Sequence, residues 1–290
     1  MEVKFCIVHA MLVLRHFRFF KKMDTLYDME QEGFKVREQR ETGGNEKEVG
    51  YHFKEIQELE KPLVLVLEKL RSNIEAGIYD VLLSDDIGGR ITTLTLREII
   101  NKVNWKAGRE NVLVYFLSAG HVLTSARSDT KGSMKKYIEE RIKDKIRQRA
   151  LVVTEYVATG KSVQELADIL EAAGVTSFDV AALIVNGDDL ELGKGRQFFS
   201  GITPKNAEEN GLNAGKSLLP SIYEKHSISG VQKTEDAPYP ELHPALKKPS
   251  QEEDRDQRDL QKRREIRREV NEAREDVKTL ANNAEKALGW

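Results

Sequence analysis

Thr159-Gly160-Lys161-Ser162 stands between an apolar run, Ala150-Leu-Val-Val153, and an amphipathic stretch, Val163 to Ala173. A buried strand, a glycine-bearing turn and a helix, in that order, make an anion site. The first turn of a helix carries N–H groups with no intrahelical acceptor and a partial positive charge. Gly160 lets the backbone come close to a ligand. The hydroxyls of Thr159 and Ser162 and the ammonium of Lys161 add donors. Glu155, at the end of the strand, brings a carboxylate suited to a sugar hydroxyl or a magnesium ion. An ordinary strand-turn-helix, in which Ser and Thr only cap the helix, accounts for the same residues.

The nucleotide-triphosphatase loop, Gly-x-x-x-x-Gly-Lys-Ser/Thr, shares Gly160-Lys161-Ser162. Its first glycine falls at Glu155, which cannot take the tight turn and whose charge opposes a triphosphate. Gly211-Leu-Asn-Ala-Gly215-Lys-Ser217 is one residue too short and follows no clear strand. Both are set aside as triphosphatase loops.

The elements that must position the loop are read from periodicity. Residues 54–76 carry Ile56, Leu59, Leu63, Val66, Leu67 and Leu70 at helical steps, with Pro62 interrupting early. Apolar runs at Tyr79–Leu83, Asn111–Leu117, Ala150–Val153 and Phe178–Val185 read as strands. Helices are expected at Thr93–Val103, Lys135–Arg149 and Val163–Ala173, the last stopped by Gly174. Strands apolar on both faces belong in a parallel sheet covered by helices. The fold class is therefore α/β, a central, mostly parallel sheet flanked by helices, with a long C-terminal helix.

Four regions follow: an N-terminal extension and polar segment, 1–53; the α/β core, 54–187; a Gly- and Pro-rich hood or loop region, 188–250, in which Asp236 to Pro249 reads as an extended linker; and a charged helix, 251–290. In the last, Leu260, Ile266, Val270, Ala273, Val277, Leu280, Ala284 and Leu288 form one narrow apolar stripe. It fits a coiled coil, and so a homodimer, or a helix lying against the core.

Composition excludes some classes. The 290 residues are 39% hydrophobic and 32% charged, with a formal net charge of −2. The chain is not a polycation, and nucleic acid is not the expected partner although Lys262-Arg-Arg264 and Arg267-Arg268 are locally basic. The single cysteine, Cys6, rules out an internal disulfide framework and a cysteine metal cluster. The apolar stretch Phe5–Leu14 is too short to span a bilayer and lacks the flanks of a secretory signal. A reducing, cytoplasmic setting without a membrane is expected.

The segment 151–162 resembles the 5-phosphoribosyl-1-diphosphate (PRPP) motif of type I phosphoribosyltransferases. That motif is a hydrophobic strand, two acidic residues, a short variable stretch, then Thr-Gly and a small hydroxylated residue. Here Leu151-Val-Val153 is followed by Thr154-Glu155, Tyr156-Val-Ala158 and Thr159-Gly-Lys-Ser162. The resemblance implies that the 159–162 loop holds the 5-phosphate and that the acidic pair contacts the ribose hydroxyls. Thr154 stands where the first acid is usual, which leaves that role to Glu155.

Upstream, Asp80-Val-Leu-Leu-Ser-Asp-Asp-Ile-Gly-Gly-Arg-Ile91 has the layout of the family's first strand and diphosphate loop. The resemblance then puts the Gly88 and Gly89 amides on the diphosphate. Arg90 reaches the diphosphate or locks the following helix, and Asp85 and Asp86 hold Mg²⁺ through water. Acidic residues at an ordinary helix start explain these positions as well. The resemblance also implies a mobile flap over Ser118 to Lys136, with Arg127 the residue expected to close over the diphosphate. The resemblance covers roughly residues 75–187. It implies transfer of the phosphoribosyl group from PRPP to an unidentified nitrogenous base or amine. A PRPP- or nucleotide-binding regulatory protein without catalysis is the alternative.

Overall fold

The computed structural model describes residues 50–84, 88–118, 128–187, 195–210, 218–224, 226–232, 237–248 and 257–290. Asp85, Asp86 and Arg127 lie outside the described residues, as does the 1–49 segment.

Helix α1 (Lys54–Gln57) and helix α2 (Glu60–Ala76) replace the single helix read over 54–76. The break falls at Glu58-Leu59, and Pro62 sits in the first turn of α2, where no intrahelical N–H is required of it. Strand β1 (Tyr79–Ser84) leads to helix α3 (Arg90–Lys106) and strand β2 (Leu113–Phe116). Helix α4 (Ser128–Tyr137) continues through a π turn at Ile138–Ile142 and a short 3-10 turn. Strand β3 (Arg149–Val157), helix α5 (Lys161–Ala172), strand β4 (Phe178–Val185) and strand β5 (Phe198–Ile202) follow. A small antiparallel pair, β6 (Val231–Gln232) with β7 (Glu241–Leu242), precedes the long helix α6 (Gln257–Leu288).

The five main strands are parallel, in the order β2-β1-β3-β4-β5. Side chains alternate between the two faces, as a pleated strand requires. Leu82, Leu151, Val153, Ala181 and Leu183 share one core with α2, α3 and α6. Val81, Leu83, Ala150, Val152, Val180 and Ala182 share the other with α4 and α5. This is the three-layer α/β arrangement expected from the apolar runs.

Three segments differ from the sequence reading. The sheet takes its fifth strand from beyond residue 187; Phe198-Phe-Ser-Gly-Ile202 is only half apolar because it is an edge strand. The helix read over Lys135–Arg149 begins earlier, at Ser128, and gives way to the extended start of β3 by Arg149. Residues 128–136 of the expected flap are therefore helix, pinned by the buried Thr130 and Met134. The 236–249 stretch is not simply extended: it carries β7 and a turn at Pro244–Leu246, and Ala245 packs on Ile266 and Val270 of α6.

Helix α6 lies against the core. Ala273, Val277, Leu280, Ala281, Ala284 and Leu288 are buried in the same cluster as α2 and α3. Polar ties reinforce the apolar seam. Lys102 donates to Asn282 at 2.8 Å and pairs with Glu285 at 3.1 Å, and Asn283 donates to Glu60 at 3.1 Å. The apolar stripe of this helix is thus spent within the chain rather than on a coiled coil.

Candidate functional site

Chain direction defines where a ligand fits. From β1 the chain moves outward to β2, then returns to β3 on the other side of β1. The loops after β1 and β3 therefore leave the sheet in opposite senses, one to each face. In open parallel sheets that divergence leaves a crevice at the carboxyl ends of the strands. Two segments flank it: Gly88-Gly89 ahead of α3, and residues 158–160 ahead of α5.

Both helices open on glycine. Gly89 is the N-cap of α3 and offers no capping oxygen. The Thr93 N–H and the Thr93 hydroxyl both donate to the Gly89 carbonyl, at 2.9 and 2.7 Å, which fixes the first turn. Gly160 is the N-cap of α5 and has φ +76°, the left-handed region that a side chain disfavours. Its carbonyl receives the Gln164 N–H at 2.9 Å. The Thr159 hydroxyl accepts from the Lys161 amide at 3.5 Å, the far limit of a hydrogen bond. The side-chain capping that would make this an ordinary strand-turn-helix is thus only weakly made. Thr159 and Lys161 are exposed, and Ser162 is half-buried.

Glu155 and Thr154 go to opposite faces of β3. Glu155 points toward α3, where one carboxylate oxygen accepts the Thr92 hydroxyl at 3.1 Å; both residues are buried. Thr154 is buried on the other face, and its hydroxyl donates to the Tyr156 carbonyl at 3.4 Å. Thr92 was not singled out by sequence. Its place in the first turn of α3, two residues after Arg90, was the only available signal. Arg90 lays its guanidinium over the Phe116 ring, 3.9 Å from the centroid, at the end of β2. That contact ties the start of α3 to the neighbouring strand.

The segment at 237–240 borders the same edge of the sheet. The Pro238 carbonyl accepts the Ser118 N–H at 2.9 Å, just beyond β2, and Tyr239 packs on Tyr137 with centroids 5.3 Å apart. Three lysines of the expected flap lie in described helix and form ion pairs: Lys131 approaches Glu165 at 4.0 Å, and Lys135 and Lys136 pair with Glu139 and Glu140 one turn on.

Among the described residues, no three His, Cys, Asp or Glu side chains converge as metal ligands. Magnesium needs only one or two carboxylates when substrate oxygens and water complete its shell. Among the described residues, no helix is long and apolar enough to cross a membrane.

A second polar cluster sits at the opposite, amino-terminal edge of the sheet. Asp179 accepts the Tyr79 hydroxyl at 3.0 Å, the Arg149 guanidinium at 2.5 Å and the Gln197 N–H at 2.9 Å. Burial pushes the Tyr79 phenol well above its ordinary range, and the Asp179 charge adds to that. Every partner is satisfied there, so the cluster clamps strand starts and is no part of the crevice.

The architecture is a five-stranded parallel sheet between two helical layers. No family model matches the sequence, and no curated protein matches it. Three solved structures are similar in fold. A hypothetical protein from Neisseria gonorrhoeae with bound ppGpp is 18% identical, with a TM-score of 0.33, over 51% of this chain and 79% of that one. A hypoxanthine-guanine phosphoribosyltransferase from Schistosoma mansoni in complex with IMP is 19% identical, with a TM-score of 0.33, over 49% and 64%. A purine phosphoribosyltransferase from Pyrococcus horikoshii is 15% identical, with a TM-score of 0.30, over 52% and 87%.

Proposed function

We propose that the chain binds PRPP in the crevice between α3 and α5 and transfers its phosphoribosyl group to a nitrogen nucleophile, releasing diphosphate. One observation carries the reading. Two helices with glycine N-caps open on either side of the same switch point, with Glu155 on the strand between them. A phosphate at each end of a sugar is the ligand class that such a pair of anion sites suits.

In this reading the amides and hydroxyls of Thr159, Gly160, Lys161 and Ser162 hold the 5-phosphate. Gly88 and Gly89 face the diphosphate, Arg90 braces their helix, and Arg127 closes over the leaving group. Glu155 orients the ribose. Asp85 and Asp86 would hold magnesium through water, and the ion would neutralise diphosphate charge. The nitrogen forms its bond to C1 as the C1–oxygen bond breaks, the electron pair leaves with the diphosphate, and the proton on the nitrogen passes to solvent. Positioning and charge stabilisation do the work, without an acid-base pair.

The second reading, a PRPP- or nucleotide-binding regulator without transfer, is favoured by Thr154. The usual first acid is absent, and the hydroxyl in its place is buried and donates to the Tyr156 carbonyl of its own strand. Diphosphate release separates the two. Incubation with PRPP, Mg²⁺ and a panel of nucleobases and amines is expected to release diphosphate with one acceptor class, and Glu155→Gln to abolish it. PRPP binding without release from any acceptor supports the regulator. Absence of PRPP binding contradicts the transferase, and absence of nucleotide binding as well contradicts the regulator.

A further inference from the structure

Resting on the reading of the crevice as a phosphoribosyl site, we propose that Thr92 is the positioning residue for Glu155 and that it couples ribose recognition to the diphosphate-side loop. The Thr92 hydroxyl donates to one carboxylate oxygen of Glu155 at 3.1 Å, and neither residue is exposed to solvent to any useful extent, at 1% and 0%. A carboxylate taken out of water turns to whatever donors surround it, and each donor to an ionised group fixes it more firmly than a neutral pair would.

Thr92 is well placed to fix that group. It belongs to the first turn of α3, three residues after the Gly89 N-cap. The same turn is held from inside by the neighbouring Thr93 hydroxyl on the Gly89 carbonyl and by Thr95 on Ile91 at 2.9 Å. Arg90, stacked on Phe116, holds it from outside. The orientation of Glu155, on β3, is thereby tied to the position of the Gly88-Gly89 turn that precedes α3. Glu155 lies two residues before the end of β3, on the α3 side of the crevice. Glu155 is fully buried, so a sugar hydroxyl must displace what covers it before it reaches the carboxylate that Thr92 helps to orient. With Thr154 on the other face, no neighbouring acid on β3 shares that task.

This assigns a specificity role as well. Phosphate alone is met by the α5 N-terminus and needs neither Thr92 nor Glu155. A sugar phosphate needs both. The two ligands therefore separate a positioning role from a structural one.

The experiment is calorimetric titration of wild type, Thr92→Val, Thr92→Ala and Thr92→Ser with ribose 5-phosphate and with inorganic phosphate. Valine and alanine are expected to weaken ribose 5-phosphate roughly tenfold or more, the scale of a hydrogen bond to a charged group, and to leave inorganic phosphate within about twofold. Serine, which keeps the hydroxyl, restores the sugar phosphate. Equal losses for both ligands, or none for either, overturn the proposal and leave the phosphoribosyl reading standing. Wild type that binds ribose 5-phosphate no better than phosphate removes that reading itself. Should neither hydroxyl-free variant fold, the wild-type carboxyl ¹³C resonance of Glu155 and methyl resonance of Thr92 carry the test. Both must shift with ribose 5-phosphate and not with phosphate; stationary resonances overturn the proposal.

Discussion

Asp276, buried in the middle of α6, accepts the Nδ1 hydrogen of His52 at 2.8 Å, the His52 N–H at 2.9 Å and, on its other oxygen, the Phe53 N–H at 2.8 Å. One carboxylate thus caps α1 and joins the first described residues to the last helix. The hydrogen bond to Asp276 raises the His52 pKa above its ordinary 6.5, partial burial opposes this, and the charges of Asp276, Glu275 and Glu272 reinforce it.

A histidine with a raised folded pKa stabilises fully below its unfolded pKa and loses that contribution as pH rises through the folded value. The Tm advantage of wild type over His52→Gln is therefore expected to be greatest near pH ~5.5 and to shrink by pH ~8.5. A difference that stays constant, or grows with pH, contradicts the role given to the pair.

Helix α6 belongs to the main core, so its removal should cost the fold and not only an oligomer. Leu280 is fully buried among α2 and α3 residues. Leu280→Ala is expected to destabilise by about 2–5 kcal/mol, as core truncations do. A chain ending near residue 250 should show no cooperative unfolding. A stably folded truncation would return the helix to the coiled-coil reading.

Gly201 of β5 faces backbone on two sides. A Cβ there would stand 2.5 Å from the Leu183 carbonyl and 2.5 Å from the Pro62 carbonyl. Backbone cannot rotate away as a side chain can, so Gly201→Ala must push β5 from α2. A loss of about 1–3 kcal/mol in denaturant unfolding is expected. A neutral result would mean that strand and helix are less closely apposed.

The left-handed Gly160 should be sensitive twice over. Gly160→Ala is expected to lower stability by ~1–2 kcal/mol, the cost of placing a side chain in that conformation. It should also weaken inorganic phosphate binding, because the turn that opens α5 is displaced. Stability lost with phosphate affinity unchanged would detach the loop from anion binding.

The strands were legible where both faces are buried, as at Phe178–Val185, since continuous apolar character leaves no other place for them. Phe198–Ile202 was not, because an edge strand keeps polar residues and here also the glycine that admits Pro62. The start of α4 at Ser128 was hidden by Gly132 and the lysines, which look like loop until Thr130 and Met134 are seen to be buried. The α6 stripe was plain in the sequence, but periodicity alone does not say which surface covers it. At the site, the order strand, glycine, helix was readable at both loops. The Thr92–Glu155 contact was not, since it joins residues 63 apart in sequence and depends on how α3 sits on β3.

The most direct test of the central claim is a crystal structure of the full chain grown with PRPP and Mg²⁺. The account predicts the 5-phosphate on the amides and hydroxyls of 159–162, the ribose against Glu155, and the diphosphate at Gly88-Gly89. A phosphate seated elsewhere, or a crevice left empty at saturating PRPP, would contradict it.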